Sequence, residues 1–115
     1  MPARTVTARR ILIATGAKPF VPRHLPGHEL MITSNEAFHL EKLPRRIVIV
    51  GGGYIAVEFA SVFARLGSEV TQVFRADNVL RGFDGDLRTM LAESMGHAGV
   101  TLKPGLLPTH IERVS

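Results

Sequence analysis

Between Arg46 and Glu58 an apolar, β-branched run (Ile47, Val48, Ile49, Val50) stops at Gly51, Gly52 and Gly53, and an apolar run of helical period follows. Strand, tight turn and helix in that order open a βαβ unit, which commits the chain to an α/β fold with a parallel sheet. The glycines have separate tasks. Gly51 supplies the backbone angles of the turn, and Gly53 omits a Cβ where the backbone must approach a pyrophosphate. Ala56 stands where the helix packs on its own strand. A phosphate at the helix N-terminus meets free N–H groups and the positive end of the dipole. Set between a strand and a helix, the pattern points to dinucleotide binding.

The next strand reads as residues 69–74, so its ribose-binding end falls near residue 75. A chain that selects NAD places Asp or Glu there, which holds the ribose hydroxyls and repels a 2′-phosphate. This chain has Arg75, followed by Arg81, while Glu69 lies at the opposite end of the strand. Two guanidinium groups offer planar, charge-assisted hydrogen bonds to a phosphate. The alternative is that both merely solvate a loop. The sequence therefore predicts NADP in preference to NAD.

Composition narrows the classes. A chain of 115 residues, 45% hydrophobic, suits one core, and the absence of cysteine leaves no disulfide framework and no thiol redox centre within it. The apolar runs are too short to span a membrane and residues 11–14 are too short for a signal-peptide core, so a cytosolic setting is expected. A net charge of +4 fits nucleic acid as a partner, but the arginines are scattered and one Tyr with no Trp gives little to stack bases on. No nucleic-acid or membrane partner is expected.

Along the chain, residues 11–14 read as a buried strand ended by Thr15 and Gly16. Pro19, Pro22 and Pro26 then exclude a helix and enforce an extended crossing, which denies His24 and His28 the helical spacing of metal ligands. Thr33 and Glu36 fit a capping box opening a short helix through Phe38 and Leu40. The helix after the glycine turn runs to Leu66 and stops at Gly67. It is apolar enough to be mostly buried, so Glu58 requires a partner unless it is exposed or pairs with Arg65. Asp84 caps the next helix, with Leu87, Met90, Leu91 and Met95 as its apolar face and Gly96 and Gly99 as its end. Residues 100–102 make a third strand, and residues 109–114 half of a hairpin.

These residues resemble the flavoprotein disulfide reductases, the FAD-dependent pyridine nucleotide-disulfide oxidoreductases, and within that family the glutathione reductase branch. Ile13, Ala14, Thr15 and Gly16 look like the family's strand end beside the flavin. Pro26 with Gly27, Thr33 with Ser34, and Leu43 with Pro44 match its crossing segment. Gly51, Gly53, Tyr54, Ile55, Ala56 and Glu58 match its nicotinamide-nucleotide turn, and Arg75 with Leu80, Arg81, Gly82, Phe83 and Asp84 its NADPH-preferring members.

The resemblance implies a Rossmann-like NADPH-binding domain over residues 44–115, truncated at its C-terminus. Before it, residues 1–43 would hold a strand of a missing FAD domain and the crossing segment. By the same resemblance Arg75 and Arg81 hold the 2′-phosphate, Tyr54 covers the nicotinamide pocket, and Glu58 pairs with a flavin-proximal lysine outside this chain. Ala14, Thr15 and Gly16 would lie by the flavin. Where some NADPH-preferring members carry further basic residues after the first arginine, Ala76 and Asp77 imply a less steep preference. The implied parent is a homodimer with FAD and NADPH as cofactors. In it hydride passes from NADPH to FAD and on to a cysteine pair that reduces a disulfide such as oxidised glutathione. This segment, without those cysteines and the primary flavin turn, is expected to be inactive alone. The alternatives are a mercuric, trypanothione or lipoamide-type member, or a non-catalytic nucleotide-binding module.

Overall fold

The structure is a computed structural model and describes residues 3–114. Met1, Pro2 and Ser115, included in the expected 1–43 and 44–115 units, lie outside the described residues. After a 3-10 turn at His28–Leu30 the elements are α1 (Ser34–Ala37), β1 (Arg46–Val50), α2 (Tyr54–Arg65), β2 (Glu69–Phe74), α3 (Gly85–His97) and β3 (Val100–Pro104). The three strands form a parallel sheet in the order β1-β2-β3. This is the Rossmann-like α/β architecture that the glycine turn predicts.

Register decides which side chains share a face. Ile47 lies beside Val70 and Val70 beside Val100, while Ile49 lies beside Gln72 and Gln72 beside Leu102. Right-handed crossovers between sequential neighbours place α2 and α3 over this one face. Val70, Gln72 and Phe74 of β2 are buried there. They meet Val57, Ala60 and Phe63 of α2, three residues apart and so on one stripe, together with Val79, Met95 and Val100. The opposite face carries Val48 beside Thr71 and Val50 beside Val73. Val48 is 64% exposed, so no layer covers that side among the described residues.

Local signals set the element ends. The Thr33 N–H donates to Glu36 Oε2 at 2.7 Å and Thr33 Oγ1 donates to the same oxygen at 2.6 Å, which completes the expected capping box. The Thr33 hydroxyl first, then its N–H, holds the Glu36 carboxyl below its ordinary range. A carboxyl depressed in the fold favours the folded state above its unfolded pKa and loses that contribution as pH falls through the lowered value. At the end of α2, the Gly67 N–H donates to Ala64 O and the Ser68 N–H to Phe63 O, the paired bonds of a Schellman cap.

Several expectations are corrected. Residues 11–14 form no strand, and Ile11, Leu12 and Ile13 are 74%, 89% and 82% exposed, because no strand among the described residues pairs with them. The crossing segment is not extended throughout, since the 3-10 turn at His28–Leu30 interrupts it. α1 is a single turn ending before Phe38, whose ring instead meets Phe59 edge-on at 5.1 Å between centroids. Leu87 and Met90 are exposed, since α3 reaches the core only through Leu91 and Met95. Gly96 lies inside α3, and β3 extends to Pro104, tolerable on an edge strand. Residues 109–114 form no strand, although the Ile111 N–H donates to Pro26 O at 2.9 Å.

That last bond clasps two remote parts of the chain. Gly27, beside it, has φ +81, and a Cβ there would overlap the Ile111 carbonyl. Gly27→Ala therefore opens the clasp at a cost of about 1–2 kcal/mol from backbone strain alone. Hydrogen exchange should show the Ile111 amide losing protection while those of Ile47 and Ile49 keep theirs; an unchanged Ile111 amide would refute this.

Candidate functional site

The site grows from the carboxyl end of the sheet. Gly51 has φ +132, a conformation that favours glycine, and its N–H donates to Val73 O at 2.9 Å, carrying the parallel ladder one residue past β1. Gly52 answers a different demand: a Cβ there would stand 3.3 Å from Phe74 Cβ and Cγ. Gly53 is the N-cap of α2 with no side-chain cap, and a Cβ on it would meet nothing within 4 Å. Ala56 Cβ sits 3.7 Å from where a Cβ on Gly51 would lie, so a small residue at 56 lets the helix approach its own strand.

These observations test a nucleotide against the site. An α-helix leaves its first N–H groups without partners, and here no side chain caps them and no acidic residue occupies the first turn. The open space before Gly53 lets a phosphate group reach those donors and the positive end of the helix dipole. The turn fits a pyrophosphate.

The loop after β2 is tied to the same turn. The Leu80 N–H donates to Gly52 O at 2.7 Å, with Leu80 held at φ +53, a left-handed conformation uncommon for a branched side chain. Beyond β3, the Gly105 N–H donates to Ala76 O and the Leu106 N–H to Phe74 O, which fixes the loop's first residues from the other side. Val79 is fully buried and pins the middle of the loop to the core. Arg75 and Arg81, both exposed, flank this fastened stretch.

Other predicted residues stand differently. Tyr54 and Glu58 are exposed and four apart on α2, so they share one side of the helix. The expectation of a mostly buried α2 fails, because only one stripe is covered while Ile55, Val62 and Leu66 are 45%, 52% and 60% exposed. Of the readings for Glu58, exposure is the one observed: among the described residues the close contacts between basic and acidic side chains are His28 with Glu29 and Arg88 with Asp77, and Ser61 donates to Val57 O. Ala14, Thr15 and Gly16 are exposed, and no hydrogen bond among the described residues joins them to the glycine turn.

Two contributors escape sequence reasoning. Gln72 is fully buried in β2 and its Nε2 donates to Gly51 O at 2.9 Å. Its Oε1 has no partner, and the reverse amide orientation would set oxygen against oxygen. A polar residue at an inward position of an otherwise apolar strand is the one signal that marks it. Arg88 of α3 donates from Nε to Val79 O at 2.7 Å and from one terminal nitrogen to Asn78 O and Asp77 Oδ1, each at 3.2 Å. Its sequence signal is slight, a lone arginine in a helix's first turn.

The family model described as pyridine nucleotide-disulphide oxidoreductase matches residues 2–115. Over 111 residues the chain is 50% identical to a glutathione reductase of Nostoc sp., covering 96% of this chain and 24% of that protein. It is 46% identical over 112 residues to a trypanothione reductase of Leishmania donovani, covering 95% and 23%. Among solved structures it is similar to the Cu(II) complex of the HOCl-induced flavoprotein disulfide reductase RclA from Escherichia coli, with TM-score 0.81, 35% identity, and 88% and 24% coverage. It is also similar to an engineered water-forming NADPH oxidase bound to NADPH, with TM-score 0.69, 29% identity, and 79% and 22% coverage. The chain thus spans about a quarter of the length of the relatives it matches.

The buried amide gives a sharp test of the turn. Gln72→Leu removes the orphaned acceptor but takes the donor from the Gly51 carbonyl, two effects of opposite sign, so its stability in urea should change by no more than about 1 kcal/mol. Gln72→Glu sets a carboxylate against the Gly51 carbonyl and should cost about 3 kcal/mol or more at neutral pH. Burial raises that carboxyl's pKa, so the loss should be absent below about pH 4 and grow as pH rises. Equal stability of the two variants at pH 7 would contradict this account.

Proposed function

The chain belongs to the pyridine nucleotide-disulphide oxidoreductase family, and from that premise we propose that it is the NADPH-binding portion of a flavoprotein disulfide reductase of the glutathione reductase kind. The observation that carries this reading is the Leu80–Gly52 hydrogen bond of 2.7 Å, which fastens the arginine-flanked loop to the uncapped turn before α2. One ligand with a pyrophosphate and a 2′-phosphate is complementary to both parts.

In the parent, bound NADPH supplies the hydride that FAD passes on to a redox disulfide. The residues here bind and orient. Gly51 and Gly53 shape the turn, the N–H groups of Tyr54, Ile55 and Ala56 face the pyrophosphate, and Arg75 and Arg81 neutralise the 2′-phosphate. Tyr54, 63% exposed at the head of α2, covers the nicotinamide pocket. Glu58, one turn on, pairs with a lysine beside the flavin, and Ala14, Thr15 and Gly16 contribute to the flavin's surroundings. Residues 1–43 then belong with the FAD domain and the crossing, and residues 44–115 with the NADPH domain. A cytoplasmic homodimer reducing oxidised glutathione completes the reading; of the structure itself, no helix is long and apolar enough to cross a membrane among the described residues.

Titration calorimetry tests the cofactor. The chain should bind NADPH about ten- to a hundredfold more tightly than NADH, the worth of one good charge-assisted contact. Arg75→Glu should remove most of that preference while leaving NADH affinity near its original value. Equal affinities for both nucleotides in the unaltered chain would overturn the proposal, and equal losses on substitution would make Arg75 a folding residue.

A further inference from the structure

The loop that carries the two arginines also carries an acid. Asp77 lies between Arg75 and Arg81, where a free carboxylate would repel a 2′-phosphate or compete for the guanidinium groups that bind it. The structure supplies a third arginine from outside the loop. Arg88 reaches back from α3 with its side chain 18% exposed, and its guanidinium meets three consecutive residues: Asp77 through the carboxylate, Asn78 and Val79 through their carbonyls. Lysine, a point charge without the planar fork, cannot hold three such acceptors in one plane.

We propose that Arg88 is a positioning residue for 2′-phosphate selection, bracing residues 77–79 and occupying the Asp77 carboxylate so that Arg75 and Arg81 face a phosphate rather than an acid. The proposal rests on the NADPH reading above and explains how that reading survives Asp77. The Asp77 side chain is 90% exposed, so the ion pair contributes little to stability by itself. The short bond to Val79 O is the structural half of the brace, made to a residue whose side chain is fully buried. Next along the chain, Leu80 donates to Gly52 O, so the braced loop is continuous with the glycine turn.

Calorimetry on the chain with NADPH and NADH gives the test, with circular dichroism verifying that each variant is folded. Arg88→Met should lower the NADPH-to-NADH affinity ratio about tenfold, with NADH binding changed by less than about twofold. Asp77→Asn added to Arg88→Met should recover part of the lost ratio, which a merely structural role for Arg88 would not produce. An unchanged ratio in Arg88→Met, or equal losses for both nucleotides, overturns the proposal. Should Arg88→Met fail to fold, Arg88→Gln carries the same comparison. Hydrogen exchange without nucleotide separates this proposal from the parent reading. If the unaltered chain shows no NADPH preference, the cofactor reading fails, yet the brace is still read from faster exchange at Val79 and Leu80 in Arg88→Met against unchanged Ile47 and Ile49. Unchanged Val79 and Leu80 amides would remove the brace.

Discussion

Everything at the carboxyl end of this sheet depends on how closely β2 can lie beneath the turn that follows β1. Three hydrogen bonds set that approach: Gly51 N–H to Val73 O, Gln72 Nε2 to Gly51 O, and Leu80 N–H to Gly52 O. Each makes the glycine segment a dependant of β2 or of the loop after it. A Cβ on Gly52 would press on Phe74 at 3.3 Å, so the turn lies close against an aromatic ring as well as being pinned by hydrogen bonds. The result is preorganisation. Donors that are fixed before a ligand arrives need not be ordered at the moment of binding, which is where flexible sites lose affinity.

The polar cost of the arrangement falls on Gln72. One end of its amide satisfies a backbone carbonyl, and the other end is left buried without a partner. An orphaned acceptor opposes folding by about 1–3 kcal/mol, and a purely apolar strand would avoid it. An inward leucine, however, would leave the Gly51 carbonyl to find another donor at the point where the chain turns most sharply. The local network thus favours turn geometry over strand stability, an exchange typical of sites that must present backbone to a ligand.

What was legible in the sequence was local. β1, β2, α2 and the caps at Thr33 and Asp84 follow from short-range periodicity and capping chemistry, and the structure has them within a residue or two. The loop that carries Arg75 and Arg81 is legible because it follows the carboxyl end of β2. What could not be read depends on neighbours remote in sequence. The apolarity of residues 11–14 shows a strand's composition but not whether a partner strand stands beside it. The same applies to the faces of α2 and α3, where Val62, Leu87 and Met90 are exposed because burial is a property of what is packed against a helix. Arg88 was invisible for a related reason: its meaning lies in three acceptors on a loop nine to eleven residues earlier.

The clasp between Pro26 and Ile111 has a consequence for the order of events in folding. The β1–α2–β2 unit closes short loops and can form early, whereas the clasp joins segments from opposite ends of the chain and must wait for the sheet to bring them near. A contact made after the folding barrier leaves the rate of folding almost untouched and governs the rate of escape instead. Gly27 accordingly acts on the native state's lifetime, and weakening the clasp would steepen no folding limb but lift the unfolding limb of a chevron. The crossing segment, in this light, is a latch whose strength is measured in time.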